Sequence, residues 1–377
     1  MARGLWQVAG NGAKACPMTR TLFSPNVVRA LITLAFIAAG GAGGLVAAAL
    51  ALPMPYMLGS LAVTSTLIGL LQNRLPGDYV FPQRIRAIFI AVVGTLIGAQ
   101  VDPSFVSQIP EMAISLFAVT FFVLIAHATN YLIFRRMGGY DKPTAFFCGS
   151  PGGLIESITL GEQAGANVQL LTLQHFLRII LVVTILPLAL SIWHGEALGS
   201  AAGVQLSGHP VGLGSLPLLI AVAVAGLVLG IKLRLPAGQL LGPLVFAALA
   251  SGSGLLTVEG PGWTIGVAQI VIGVSLGARF AGVTRQLLFR GLRLSAVSAV
   301  SMLLIGAAFS EGLHLVTGNG IEALLISFAP GGVSEMGLIA LSLAVNPAFV
   351  TFHHLYRIAV TVIEISIASR WFRPRQG

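Results

Sequence analysis

Charged residues are scarce in this sequence: Asp, Glu, Lys and Arg make up 9% of its 377 residues, whereas 56% are hydrophobic. A soluble domain carries about a quarter charged residues. The scarcity of charge therefore excludes a soluble globular protein. It predicts an all-α polytopic chain that crosses a bilayer several times.

Cysteine is almost absent as well. The two cysteines, Cys16 and Cys148, form neither a metal-binding nor a redox spacing, which argues against a disulfide framework and a zinc site. We expect Cys148 to be a small buried apolar residue. We also expect no cofactor, no bound metal and no enzymatic activity.

The first two dozen residues lack the apolar core of a secretory signal, so we interpret residues 1–25 as a cytoplasmic stub. No segment outside the apolar runs is long enough for a DNA-binding module, and direct binding of nucleic acid is not expected. The formal net charge is +9, with the basic residues in small groups between apolar runs. Such groups are typical topology signals of membrane proteins.

One stretch occurs twice. Residues 151–178 read PGGLIESITLGEQAGANVQLLTLQHFLR, and residues 330–357 read PGGVSEMGLIALSLAVNPAFVTFHHLYR. At an offset of 179 residues the two copies share Pro, Gly, Gly, Glu, Asn, Thr, His and Arg at the same positions. Because most of the shared residues are polar in an apolar chain, the repeat indicates a chemical role besides packing.

Apolar windows near the ~20 residues that span a bilayer recur through both halves. They cover residues 27–50, 56–71, 85–101, 112–134 and 167–192, then 213–231, 238–253, 263–279, 292–316 and 346–369. Shorter segments also match between the halves, 52–61 with 235–244 and 92–100 with 271–279. The sequence therefore predicts two membrane repeats, 26–192 and 213–371, an external linker at 193–212 and a cytoplasmic tail at 372–377.

Each half also contains an apolar piece that is broken in the middle, residues 143–165 by Ser-Pro-Gly-Gly and residues 321–344 by Ala-Pro-Gly-Gly. Since proline lacks a backbone donor and glycine is a poor helix former, we expect two half-helices around a non-helical tip in each piece. If both pieces turn back, every basic residue except Arg178 and Arg357 lies on the cytoplasmic side. Six crossings per half would move several basic groups outside, so we reject that topology. The prediction is an inverted repeat of about 5+5 transmembrane helices plus two re-entrant hairpins, with both termini cytoplasmic.

Arg178 and Arg357 occupy the same repeat position, 11 residues after an asparagine expected to cap the helix. At 1.5 Å per residue they lie about 16 Å into a ~30 Å apolar core, near its midplane. A charge at that depth needs a partner, and Glu156 and Glu335 are the candidates. The sequence leaves open whether these Glu–Arg pairs are structural locks or handle a substrate or ion.

Threonine and histidine complete the candidate site, because they share one helical face with the arginines. The histidines can hydrogen-bond a neighbouring helix or couple protons. Scattered His and Glu side chains lack the tight spacing of a metal site. The predicted substrate- or ion-binding residues are Pro151, Gly152, Gly153, Glu156, Thr172, His175, Arg178, Pro330, Gly331, Gly332, Glu335, Thr351, His353, His354 and Arg357.

Two hairpin tips that meet near the midplane would expose backbone amides and the positive ends of half-helices, a geometry typical of ion-coupled transporters. We therefore predict an ion- or proton-coupled secondary transporter of a small solute, with a carboxylate-like anion as the first candidate. A membrane sensor that affects gene expression indirectly is the alternative, and a membrane metallo-monooxygenase is a remote one. The expected partners are the lipid bilayer and the solute or ion, and a homo-oligomer is compatible with the sequence.

The two P-G-G-x-x-E segments, the paired L-P-x-x-x-L/M-L-G motifs and the duplication resemble the bacterial AbrB-type integral membrane family. The resemblance covers almost the whole chain after residue 25. It implies an inner-membrane protein with a duplicated domain. Members of that family are labelled as regulators of gene expression or as ammonia monooxygenases, and the resemblance brings neither a settled substrate nor established catalytic residues.

Overall fold

The protein is described by a computed structural model over residues 25–71, 74–76, 79–101, 110–195, 197, 211–253, 256–281, 283 and 285–372. Within these ranges the regular structure is helical, without a β-strand. The predicted all-α membrane class is thereby confirmed. The predicted N-terminal stub, most of the linker and nearly all of the C-terminal tail lie outside the described residues.

The first half of the chain contains seven of the described helices. They are α1 (Pro25–Ala49), α2 (Pro55–Leu71), α3 (Gln83–Ala99), α4 (Ala113–Leu132), α5 (Lys142–Gly149), α6 (Leu154–Gln163) and α7 (Val168–His194). A π-helical turn, Ile133–Met137, extends α4. The five long apolar windows of this half correspond to α1–α4 and α7.

The second half repeats the order of long and short helices. Its described helices are α8 (Leu216–Lys232), α9 (Gly238–Gly252), α10 (Trp263–Gly277), α11 (Arg285–Thr317), α12 (Ile321–Phe328), α13 (Val333–Ser342) and α14 (Pro347–Ala368). All ten apolar windows are thus helical. The inversion of one half relative to the other stays a prediction.

Both broken pieces form two short helices around a tip, as predicted. We call residues 142–163 (α5, the tip and α6) hairpin 1, and residues 321–342 (α12, the tip and α13) hairpin 2. In hairpin 1 the chain leaves α5 at Ser150, and Gly153 adopts a left-handed backbone, with φ of +58°, before α6 begins. Glycine takes this conformation without the steric penalty that a Cβ would add.

The helices assemble into two bundles. The six-helix bundle combines α1, α2 and α3 with α8, α9 and α10. The hairpin bundle combines α4 and α7 with α11 and α14 around the two hairpins. Helix α13 of hairpin 2 packs on α3 and α10 of the six-helix bundle and carries much of the contact between the bundles.

Small residues allow close helix contacts inside the six-helix bundle. A Cβ on Gly94 would lie 2.5 Å from the carbonyl oxygen of Leu240, and one on Gly273 would lie 2.5 Å from that of Met57. Their partners Gly98 and Gly277 also face the backbone of a neighbouring helix. Both glycine pairs have the small-xxx-small spacing that is typical of close helix contacts in membrane proteins.

Seven described helices are long and apolar enough to cross a membrane, judged by length and composition. Large apolar side chains are strongly exposed on their outer faces, for example Leu70, Ile192 and Leu315. Exposure on this scale fits a surface covered by lipid tails rather than water. The chain is a multi-pass membrane protein.

Candidate functional site

The helices that carry the repeated Thr, His and Arg residues begin at capping asparagines. Asn167 accepts a hydrogen bond from the backbone N–H of Leu170, and Asn346 accepts bonds from those of Ala348 and Phe349. These bonds satisfy donors that the first helical turn leaves free. The two caps confirm the predicted starts of α7 and α14 and place each arginine 11 residues after its capping asparagine.

Arg178 and Arg357 bind backbone carbonyls at the hairpin tips. Arg178 donates from Nη1 to the carbonyl oxygen of Ser150, and Arg357 donates from Nη1 to that of Ala329. Arg357 also donates from Nη2 to the Gly331 carbonyl at 2.8 Å. The expectation that each arginine pairs with the glutamate of its own repeat was wrong.

The carbonyl contacts have a clear physical reason. The last carbonyls of a helix have no intrahelical partner, and the carboxyl end of a helix carries about half a negative charge. Ser150 and Ala329 directly follow α5 and α12, so each guanidinium meets such an end. Because both half-helices end inside the protein, a buried cation is the group that stabilises them best.

His175 and His354 bind one turn earlier on the same half-helices. Nε2 of His175 donates to the carbonyl of Phe147 at 3.0 Å, and Nε2 of His354 donates to that of Ile326 at 2.9 Å. In each repeat the histidine and the arginine reach back 28 residues to their carbonyls. The repeated His and Arg therefore fasten the first half-helix of each hairpin to the long helix that follows.

Glu335 pairs with the other bundle. Its Oε1 accepts a hydrogen bond from Nη2 of Arg86 on α3 at 2.7 Å, and its Oε2 accepts one from the Ser334 hydroxyl. The Glu335 side chain is 3% exposed and that of Arg86 is 21% exposed. Gly332 leaves the space that this carboxylate occupies at the start of α13. The ion pair thus links hairpin 2 to the six-helix bundle.

Glu156 occupies the equivalent position in hairpin 1 but a different environment. It is half-buried, and no hydrogen bond or ion pair to it is found among the described residues. The repeat offset places Ile265, fully buried on α10, where Arg86 stands in the first half. Helix α13 is buried almost throughout, whereas Ile155 beside Glu156 is 71% exposed. The two hairpins therefore sit differently against their surroundings.

Most of the remaining predicted site residues are buried in the protein interior, and Thr172 lines a cleft that is described below. Thr351 and His353 are buried on α14, and Nδ1 of His353 donates to the Phe349 carbonyl while Nε2 contacts the Ser115 hydroxyl. Thr172 is half-buried on α7. The tip residues Pro151, Gly152, Gly153, Pro330 and Gly331 are buried, and Gly332 is half-buried.

A cleft of ≈ 460 Å³ separates the two bundles beside α7. The six-helix bundle contributes Tyr79, Val80 and Ala278–Ala281, and the hairpin bundle contributes residues from Val168 to Leu177 together with Leu287. The guanidinium of Arg279 lies 4.6 Å from the centre of the Phe176 ring across the cleft. Along α7 the lining extends from Val168 to Leu177, whereas Arg178 is buried against the tip of hairpin 1 and does not line the cleft.

Both cationic and acidic side chains lie around the tips. Arg178 and Arg357 are close enough for their charges to interact, and Arg279 interacts with Arg86 and Glu335. Two helix ends worth about half a negative charge each offset only part of the charge of Arg178 and Arg357. With Glu335 matched to Arg86, the Glu156 carboxylate near Gly153 offsets part of the remaining charge at the tips, and Arg279 is the charged residue in the lining of the cleft.

Several buried polar atoms beside the tips have no hydrogen-bond partner in the described part of the chain. They are His175 Nδ1, Arg178 Nε, Thr351 Oγ1, His354 Nδ1 and Arg357 Nε. Four of the five come from equivalent positions of the repeats. Because buried polar groups are normally paired, such atoms mark places for water or a polar ligand.

Sequence reasoning missed four ionisable residues. Arg86 and Arg279 had been assigned to the cytoplasmic face by charge alone, and their contacts across bundles required the fold. His127 on α4 and Glu364 on α14 lie inside predicted membrane windows, and ionisable residues at such depths are functional candidates in their own right. That signal was present in the sequence. In the ranges described by the structure, no three His, Cys, Asp or Glu side chains are grouped as metal ligands.

Comparison with known proteins supports one family. A family described as "Transition state regulatory protein AbrB" matches residues 65–373. The chain is 25% identical to "Uncharacterized protein YhjN" of Bacillus subtilis (strain 168) over 349 residues, which are 87% of this chain and 89% of that protein. It is also 25% identical to "Putative regulator AbrB" of Escherichia coli (strain K12) over 253 residues, 66% of this chain and 72% of that protein.

Proposed function

We propose that this chain, which belongs to the AbrB family of membrane proteins, is a secondary transporter of a small anionic solute. The solute binds between the hairpin tips and the six-helix bundle. Movement of one bundle against the other exposes this site alternately to the two sides of the membrane. We place the protein in the bacterial inner membrane with both termini in the cytoplasm, as the basic residues predict.

The proposal rests on two observations: a cleft between the bundles that is lined by Arg279, and a pair of hairpin tips held by buried arginines. Irregular backbone is tolerated at membrane depth where it is enclosed by protein or lines a cavity. The cleft, at ≈ 460 Å³, is within the size range of small-molecule sites. Its Arg279 supplies a cationic donor of the kind that binds carboxylates in two-point geometry.

The unequal packing of the hairpins supports alternation. Hairpin 2 is docked on α3 and α10 through Glu335 and Arg86, while hairpin 1 leaves Ile155 exposed. In a transporter built from two related halves, the halves exchange such environments between the two end states. We infer that the structure represents one end state, with the cleft on the side that we assign to the cytoplasm.

A screen of organic acids tests the binding part of this proposal. Purified protein in detergent is heated with each acid, and a bound acid raises the unfolding midpoint by mass action. Arg279→Gln removes a cationic donor from the cleft and should weaken binding of the best acid about tenfold or more. Arg290→Gln, a change at an exposed position on α11, is the matched control.

Solute counterflow in vesicles then separates transport from sensing. The regulator alternative rests on the name of the Escherichia coli relative, and a sensor would bind the acid without moving it. A transporter exchanges labelled acid across the vesicle membrane at a rate that Arg279→Gln reduces. Binding without any exchange by well-inserted protein would contradict the transport proposal and favour the sensor.

A further inference from the structure

A histidine and a glutamate form a pair inside the hairpin bundle, away from the repeated motif. Nδ1 of His127 lies 2.8 Å from Oε1 of Glu364, and Nε2 of His127 lies 2.8 Å from the carbonyl oxygen of Phe146 in hairpin 1. The His127 side chain is 2% exposed and that of Glu364 is 19% exposed. The second carboxylate oxygen, Oε2, is buried and has no hydrogen-bond partner among the residues that the structure describes.

The geometry of this pair determines how many protons it holds. A carbonyl oxygen can only accept, so Nε2 of His127 carries a hydrogen and donates to Phe146. A neutral imidazole of this form has a lone pair on Nδ1. At 2.8 Å, that lone pair and a carboxylate oxygen would repel each other unless a proton lay between them. The 2.8 Å contact is therefore attractive when the pair holds one proton more than a neutral histidine and a free carboxylate.

The pair holds hairpin 1 through several contacts. The imidazole lies with its centre 4.4 Å from that of the Phe146 ring, and Gly149 leaves room for it at the end of α5. The tip itself packs on α14, where a Cβ on Gly152 would lie 3.2 Å from the Thr361 hydroxyl. Hairpin 1, α4 and α14 are thus in contact around the His127–Glu364 pair.

The other repeat lacks this arrangement. The repeat offset places Gly306 opposite His127 and Ile185 opposite Glu364. Gly306 faces Phe328, which stands at the position equivalent to Gly149, so the second repeat has neither the imidazole nor the glycine that makes room for it. A proton can therefore act on hairpin 1 through this pair, whereas hairpin 2 has no equivalent group.

We propose that His127 and Glu364 form a proton-binding site that controls the attachment of hairpin 1 to α4 and α14. Uptake of one proton from water changes the pair from a net charge of −1 to 0 and forms the shared Nδ1–H–Oε1 bond. Loss of that proton leaves the lone pair against the carboxylate and releases the contact. Proton binding stands by itself, while its role as the coupling ion rests on the transport function proposed above.

Other titratable or charged groups lie on the elements packed around the pair. His175 on α7 is close enough to interact electrostatically with His127. Its Nε2 is engaged with the Phe147 carbonyl, and no partner for its Nδ1 is found in the described part of the chain. The remaining groups on α4–α7, α14 and the segments that adjoin them are Glu111, Tyr131, Arg135, Arg136, Tyr140, Asp141, Lys142, Cys148, Glu156, Glu162, Arg178, His194, His353, His354, Tyr356, Arg357 and Arg370.

Amide hydrogen exchange tests the site on the full-length protein without any solute. Exchange is measured from about pH 5 to pH 9 and corrected for the intrinsic pH dependence of amides. In the wild type we expect protection in residues 142–163 to fall about tenfold or more as pH rises. Residues 333–342 (α13 of hairpin 2), which do not include the His194–Glu322 pair, serve as an internal reference and should not show this fall.

Two substitutions decide whether the pair is responsible. In Glu364→Gln the side-chain amide can donate to Nδ1 of His127 without an extra proton, so hairpin 1 should stay protected at every pH. His127→Gln should likewise abolish the pH response. Glu322→Gln alters a half-exposed His–Glu pair, His194 with Glu322 at 3.3 Å, and should behave like the wild type.

The outcomes separate this site from the transport proposal. A pH-independent hairpin 1 in the wild type, or an unchanged pH response in both Glu364→Gln and His127→Gln, would overturn the proton site whether or not solute moves. A pH response that both substitutions remove supports the site even when vesicles show no counterflow. If counterflow is found, Glu364→Gln should preserve solute exchange and abolish accumulation driven by a proton gradient.

Discussion

Glu335→Gln perturbs the contact between the bundles with the smallest change in shape. The substitution keeps the size of the side chain and removes the charge that Nη2 of Arg86 meets at 2.7 Å. Loss of one partner from a fully buried ion pair costs roughly 3–5 kcal/mol. Because the Arg86 side chain is 21% exposed, water can solvate it in part, and we expect about 1–3 kcal/mol.

The loss should fall on α13 more than on the whole protein. Hairpin 2 keeps its two bonds from Arg357, so the hairpin stays formed while its contact with α3 weakens. Since about 1.4 kcal/mol is a tenfold change in an equilibrium, amide exchange in Val333–Ser342 should quicken roughly 5- to 150-fold. Glu156→Gln, at the half-buried equivalent position, should change exchange in α6 by less than about twofold.

A double-mutant cycle with Arg86→Gln isolates the pair. If the ion pair carries the effect, the double variant should exchange no faster than the more damaged single variant, because both remove the same interaction. Strictly additive effects of Glu335→Gln and Arg86→Gln would refute the assignment. An equally large effect of Glu156→Gln on α6 would refute the proposed difference between the hairpins.

Two further substitutions test how the tips are built. Arg357→Lys keeps the charge but lacks the planar group that binds two carbonyls, so we expect the free energy of unfolding to fall by about 1–3 kcal/mol. Arg290→Lys, at an exposed position, is the control and should leave the free energy of unfolding unchanged. Equal unfolding midpoints for the two variants would contradict the contacts of Arg357 at Ala329 and Gly331. Gly153→Ala places a Cβ at a φ of +58° and 3.1 Å from the Val362 side chain, which should destabilise the protein by about 1–2 kcal/mol. Gly69→Ala in α2, with no atom within 4 Å of the added Cβ, should be neutral or stabilising by up to about 1 kcal/mol in the same thermal assay.

The sequence was sufficient for the elements and for their breaks. Apolar windows of membrane length fixed the long helices, and the Pro-Gly-Gly segments located both tips, because these are local properties of backbone and solvent. The capping role of Asn167 and Asn346 and the burial of Cys148 are local in the same sense. Each of these expectations could be made without knowing which helices are neighbours.

The partners of the buried charges required the fold. A glutamate and an arginine of one repeat suggested an ion pair, but a buried guanidinium can equally be satisfied by free carbonyls at a helix end. Which partner the guanidinium binds depends on where α5 and α12 end. Because both helices end beside the arginines, Arg178 and Arg357 bind carbonyls. Glu335 instead forms an ion pair with Arg86, a residue 249 positions earlier in the chain. No local sequence pattern could indicate this partner.

The central claim is that the six-helix bundle and the hairpin bundle move relative to each other. Spin labels at Val80 and Gln169, which line opposite sides of the cleft, report this movement by pulsed electron paramagnetic resonance in a background with serine at Cys16 and Cys148. A pair at Val80 and Leu233, both on the six-helix bundle, is the fixed reference. We predict that Glu335→Gln shifts the Val80–Gln169 distance distribution towards a second population and leaves the reference unchanged. A single cross-cleft distance that neither Glu335→Gln nor a stabilising acid alters would contradict the account.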